Sequence, residues 1–198
     1  LGSEGTLGII TKAVIKLFPV PVNKVTSIVA TTNLESSIKL LAKLREQTGD
    51  TINAFEYFDR ACIDALINKE GIKDIFDKKY EHYVLVELSS SQKNSDLNLL
   101  LENSIALAIE DKNVNDAIVA SNETQSAQFW SLRETLPVVL KNIGKYIVFD
   151  ISVPISLLPK LISESKKVCN EICKNSSSII FGHIGDGNIH YYLIKPED

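Results

Sequence analysis

The stretch FGHIGDGNIHYYL, residues 181–193, holds two of the chain's three histidines, with an aspartate and an asparagine between them. Seven residues apart in one continuous strand, His183 and His190 would point to opposite faces. A turn at Asp186-Gly187 changes that. Asp-Gly flanked by apolar residues is a strong hairpin signal, because a two-residue turn needs positive φ at both positions. With that pair at the tip, Gly185 faces Asn188, Ile184 faces Ile189, and His183 faces His190 with Cβ atoms ~5 Å apart. Asn188 and Tyr192 share the parity of His190, and Phe181 that of His183. One face then collects two imidazoles, a carboxamide, a phenol and an apolar ring. Two imidazoles so placed suit a borderline divalent metal such as Zn, Mn or Fe. A third ligand must come from elsewhere, and Asp150 in a neighbouring strand is the candidate. The plainer alternative is a cross-strand histidine pair on a solvent-facing sheet.

Arg133, in FWSLRETLP, sits beside an aromatic pair on an apolar helix. Its two parallel N–H donors match a carboxylate. Pro137 removes the helical bond to the carbonyl of Arg133, so the helix is expected to kink or end there. A surface ion pair with Glu134 is the alternative. The opening GSEGTLGIIT has glycines at 2, 5 and 8. Such a loop lets backbone N–H groups approach a phosphate or a flavin ring, or simply makes a tight turn before a strand. It is neither a P-loop nor a dinucleotide fingerprint.

The elements that must position these groups follow from periodicity. Strands are expected at KVTSIVATT (24–32), TINAFEYFD (51–59), HYVLVELSS (82–90), NDAIVAS (115–121), KYIVFDISVP (145–154), SSIIFGHI and NIHYYLI. Helices are expected at NLESSIKLLAKLREQTG, capped by Asn33 or Ser36, and at RACIDALINKEG, SDLNLLLENSIALAIED, NETQSAQFWSLRETL and SLLPKLISESKKVCNEIC. This order predicts an α+β fold of ferredoxin-like lobes, with a mixed or antiparallel sheet and helices packed on one face.

With 198 residues, 44% hydrophobic and 23% charged, the composition is that of a globular chain. A net charge of −4 with dispersed Lys and Arg argues against nucleic acid. No apolar run approaches the ~20 residues that span a bilayer. Cys62, Cys169 and Cys173 read as reduced thiols, the last two on one helix face. A chain that opens without Met and stops after a strand reads as an internal piece of a longer protein.

In this order, GSEGTLGIITKAVIKLFP, FWSLRE, FDISVPIS and FGHIGDGNIHY resemble the FAD-linked 2-hydroxy-acid dehydrogenases. That group includes D-lactate dehydrogenase, the glycolate oxidase flavoprotein subunit and D-2-hydroxyglutarate dehydrogenase. The resemblance implies that residues 1–22 end the FAD-binding domain and its connection. Residues 23–198 would be the FAD-linked oxidase C-terminal (substrate or cap) domain, cut short at its C-terminus. It implies FAD along Gly2, Ser3, Glu4, Gly5, Thr6, Leu7 and Gly8, mostly held by the preceding domain. It places the substrate carboxylate on Arg133, with Asn188 and Tyr192 on the substrate side, and a divalent metal on His183 and His190. A Glu-His-Gly motif downstream would supply the third metal ligand, ahead of Asp150, and the base, so no catalytic residue is expected in this piece. The activity implied is oxidation of a D-2-hydroxy acid, of lactate or glycolate type, to a 2-oxo acid by the full-length protein. Some members have Thr where Pro137 stands, Lys is common where Val148 stands, and the 2-hydroxyglutarate-selective member has Asn where Tyr192 stands. These departures turn the expectation away from a dicarboxylate. The partner is then a small 2-hydroxy acid, with the electron acceptor and a homodimer left open. The location is the cytoplasm, peripheral at the inner membrane, or the mitochondrion in a eukaryote. The competing reading is a non-catalytic ferredoxin-like ligand-binding or interaction module.

Overall fold

Seven β-branched and aromatic runs become the strands of one sheet in the computed structural model, which describes residues 5–196. In chain order the elements are β1 (Asn23–Thr31), α1 (Leu34–Thr48), β2 (Ile52–Asp59), α2 (Arg60–Glu70), β3 (His82–Ser90) and α3 (Leu97–Glu110). They continue with β4 (Val114–Val119), α4 (Glu123–Leu140), β5 (Tyr146–Ser152), α5 (Leu158–Ile172), β6 (Ser177–Gly182) and β7 (Asn188–Ile194). Helix starts follow cap chemistry: Asn33, Asp59, Asp96 and Asn122 each accept from a backbone N–H of the first turn.

The strand order is β4-β1-β3-β2-β6-β7-β5, with every neighbouring pair antiparallel. The first four strands, in the order 4-1-3-2, form one split βαβ lobe of the ferredoxin-like kind. The second lobe repeats the idea, since β5, α5 and β6 bracket β7. The two lobes share the sheet through a short seam, Tyr57 opposite Gly182 and Phe58 opposite Phe181.

The crossing helices α1, α3 and α5 all lie on one face. There Leu40, Leu44, Leu101, Ile105, Leu158 and Ile162 pack on Val29, Val84, Val86 and Ile180. On this point the one-face expectation holds for the crossing helices and needs correcting for the rest. α2 and α4 cover the opposite face, where Ile63, Leu66, Phe129, Leu136 and Leu140 pack on Ile28, Phe58, Leu85 and Phe181. The reason is visible in β1 and β3, which are buried from Val25 to Thr31 and from Tyr83 to Leu88 without alternation. A strand buried at successive positions has cover on both faces.

Pro137 does not end its helix. α4 runs through it to Leu140, because Leu136, Val139 and Leu140 are buried on the sheet and hold the last turn. Nor is the β6–β7 connection a two-residue turn. β6 stops at Gly182 and β7 starts at Asn188, leaving a loop over residues 183–187. Gly187 takes φ +85 while Asp186 stays at negative φ, and Asp186 Oδ1 accepts from Asn188 N at 3.2 Å. A helical turn followed by a left-handed residue takes more chain than the type I′ tip. The register shifts accordingly: His190 faces Phe181, not His183.

Candidate functional site

A register shift of two residues leaves side-chain parity untouched. The expected face therefore survives although the expected pair does not. Phe181, His190 and Asp150 stand abreast across β6, β7 and β5, and Ile179, Tyr192 and Val148 form the next row. His183, just beyond the end of β6, still reaches its partner. The two imidazole centroids lie 5.5 Å apart with the rings nearly perpendicular. Phe181 and Tyr192 stack at 5.5 Å beside them.

α4 brings Arg133 over this face, its guanidinium carbon 5.0 Å from the Phe181 ring centre. What holds it is a residue the sequence reading missed. Glu56, on β2 and 6% exposed, accepts from Arg133 Nε at 2.8 Å through Oε2. Its Oε1 lies 2.6 Å from His183 Nδ1. One helical turn away, Trp130 Nε1 donates to Glu87 Oε2 at 2.8 Å, and Glu87 is buried on β3. Two buried carboxylates on adjacent strands thus dock one face of α4. The signal was an acid inside otherwise apolar strands, as in FEYFD and VLVEL, since an acid buried there needs partners.

The remaining expected residues gather at the same end. Asn188 Nδ2 donates to Asp150 Oδ1 at 2.7 Å and to Ser152 Oγ at 3.1 Å. Its Oδ1 is buried and meets no hydrogen-bond partner among the described residues. Asp150 Oδ1 stands 3.4 Å from His190 Nδ1, on the side a carboxylate takes when it orients an imidazole. Burial lowers the His190 pKa below the ordinary histidine value against the pull of Asp150, which favours the neutral ring. Each histidine therefore shows Nδ1 to a carboxylate, as in carboxylate–histidine–metal triads. Arg133 Nη2 lies 3.4 Å from His183 Nε2. In kind the donors fit a borderline divalent metal, but the set is incomplete: no group of three or more His, Cys, Asp or Glu among the described residues is arranged to hold a metal ion.

Of the glycine-rich opening, Gly2, Ser3 and Glu4 lie outside the described residues. Gly5 sits at φ +81, and no atom would lie within 4 Å of a Cβ there. Thr6, Leu7 and Gly8 follow in an exposed segment, and residues 8–21 form neither helix nor strand. Leu7, Ile9, Val14, Leu17 and Phe18 along it are all more than two-thirds exposed.

The family model for the FAD linked oxidases, C-terminal domain, matches residues 20–198. A rice protein (Oryza sativa subsp. indica), provisionally named a mitochondrial D-2-hydroxyglutarate dehydrogenase, is 30% identical over the whole chain. A Schizosaccharomyces pombe protein, provisionally named a mitochondrial D-lactate dehydrogenase, is 27% identical over 96% of it. The chain spans 35% and 38% of these two relatives. In structure, 98% of it superposes on 39% of an alkyldihydroxyacetonephosphate synthase, with a TM-score of 0.59 and 18% identity, a likeness of fold. A match of the family model to nearly every residue that builds the sheet makes the assignment direct: this chain belongs to the FAD-linked oxidase C-terminal domain family.

Proposed function

We propose that the chain is the substrate-side (cap) domain of a flavoprotein that oxidises a D-2-hydroxy acid of lactate or glycolate type to the 2-oxo acid. The observation that carries this reading is the convergence of Arg133, Glu56, His183 and His190 on one open sheet face. Arg133 binds and orients the substrate carboxylate, which fixes the face of the α-carbon presented for oxidation. Its Nε is tied to Glu56 and its Nη2 lies 3.4 Å from His183 Nε2, so substrate would meet the outer, Nη1 side of the guanidinium. His183 and His190 contribute two nitrogens to a divalent metal, Zn, Mn or Fe, completed by a ligand from elsewhere in the protein. Bound there, such a metal supplies Lewis acidity to the substrate hydroxyl. Asn188 and Tyr192 line the substrate side.

FAD, held mainly by a preceding domain and bordered by residues 2–8, supplies the two-electron redox chemistry when bound. Residues 1–22 are the connection to that domain, a placement supported by the exposed apolar side chains of Leu7 to Phe18. The rice and Schizosaccharomyces pombe relatives carry mitochondrial names, and we infer the same site of action if the source is a eukaryote. No helix among the described residues is long and apolar enough to cross a membrane.

The experiment is a substrate screen on the full-length protein with an artificial electron acceptor, before and after chelation. A flavin spectrum, turnover of D-lactate or glycolate and loss of turnover with chelator are expected. Turnover that survives exhaustive metal removal would end the metal role. Intact 2-hydroxy-acid turnover in His183→Ala would favour a non-catalytic module.

A further inference from the structure

We propose that Glu56 is a positioning residue that sets both halves of the site with one carboxylate. It holds Arg133 for the substrate and fixes His183 in the tautomer whose Nε2 carries the lone pair a metal would take. The proposal rests on the function proposed above and adds a residue and a mechanism of coupling to it. Glu56 is buried, with 8% of its side chain exposed, and Arg133 is nearly as buried at 12%. Its two oxygens are divided between the two partners, Oε2 to Arg133 Nε and Oε1 to His183 Nδ1.

An ionised carboxylate only accepts hydrogen bonds, and arginine only donates them. The Arg133 contact is therefore fixed in sense. The 2.6 Å contact to His183 then requires a proton on Nδ1. In a neutral imidazole that leaves Nε2 with the lone pair. Nε2 is the nitrogen that faces Arg133 Nη2 at 3.4 Å, so it is also the nitrogen on the site side. The same buried group thus orders a cation for the substrate and a lone pair for the metal.

Glu56→Gln separates these roles. A glutamine keeps the shape but has one acceptor and one donor end. Arg133 cannot accept a hydrogen bond, so the amide oxygen must turn to Arg133 and the NH2 to His183. His183 answers by moving its proton to Nε2, which removes the lone pair from the site. The arginine stays held while the histidine is set wrongly.

The test uses full-length holo-flavoprotein stripped of metal, titrated with Mn²⁺ and followed by the electron paramagnetic resonance signal of the free ion, alongside steady-state kinetics. In Glu56→Gln, Mn²⁺ affinity should fall roughly tenfold to a hundredfold, with KM for the hydroxy acid within about threefold of the parent. Glu56→Ala should worsen both affinity and KM. Mn²⁺ affinity within twofold of the parent in Glu56→Gln overturns the proposal, as does a KM that rises as far as in Glu56→Ala. Should Glu56→Gln fail to fold, the metal-free parent decides alone: the ¹⁵N shifts of His183 must report a protonated Nδ1 and a bare Nε2, and the opposite tautomer overturns the proposal. Absence of Mn²⁺ binding by the parent protein overturns the histidine half, and with turnover intact leaves the proposed oxidation standing. Absence of 2-hydroxy-acid turnover in the parent instead refutes the proposed function itself.

Discussion

A single buried ion pair, Arg133 with Glu56, is the feature on which the proposed carboxylate clamp rests. Lysine at position 133 would keep the charge but lose the fork, since its ammonium cannot serve Glu56 and a carboxylate side by side. Arg133→Lys should raise KM for the hydroxy acid roughly tenfold to a hundredfold, the value of one or two charge-assisted bonds. It should lower kcat less, and an unchanged KM would remove the carboxylate clamp from Arg133. Asp59 is a second buried acid, with a different task. It caps α2 through Cys62 N and accepts from Ile180 N on β6 at 3.1 Å, which ties the two lobes together at their seam. Burial raises its pKa from 3.8 to about 6. The folded chain therefore binds this proton more tightly than the unfolded chain. The stability so gained is fully present below about pH 4 and lost as pH rises through about 6, a span of roughly 3 kcal/mol. Asp59→Asn should flatten that part of the urea-midpoint profile, and an unaltered slope would contradict this account.

At the level of elements, β7 is the piece on which the site depends, and its turn is where sequence reasoning and structure part. Parity along NIHYYLI was legible, so Asn188, His190 and Tyr192 were assigned to one face. The turn type was not, because Asp-Gly serves both a two-residue tip and a longer loop closed by a left-handed glycine. The one-face expectation missed α2 and α4 for a related reason: apolar spacing shows that a helix has a buried side, but not which side of the sheet receives it. Glu56 was hidden by distance, since 127 residues separate it from His183. Gly187 has a role beyond the turn. Its carbonyl accepts from Val153 N at 3.1 Å, and a Cβ there would collide with the Val153 carbonyl oxygen. Gly187→Ala should cost roughly 1–2 kcal/mol for the backbone conformation alone and more for the collision. A lower urea midpoint would register this, and an unchanged midpoint would mean that the end of β5 moves freely.

For the molecule as a whole, the covering is unequal. α2 and α4 shield the site face over the first lobe, while β5, at the edge, leaves Val148 47% exposed and the Asp150 side chain 66% exposed. The candidate site lies where that cover ends. The hairpin beneath it carries a rule about length. Because β7 is bonded on both sides, to β6 and to β5, sliding it by one residue would send His190 and Tyr192 into the layer of Ile180 and Ile189. The same slide would bring Tyr191 out in their place. Losing one residue from positions 184–187 should therefore abolish the proposed metal-dependent turnover, whereas losing or gaining two there should spare the histidine face at some cost in stability. Loop variants made by chance or by design at this site should survive in even steps, a parity filter that turnover assays on a deletion series would reveal.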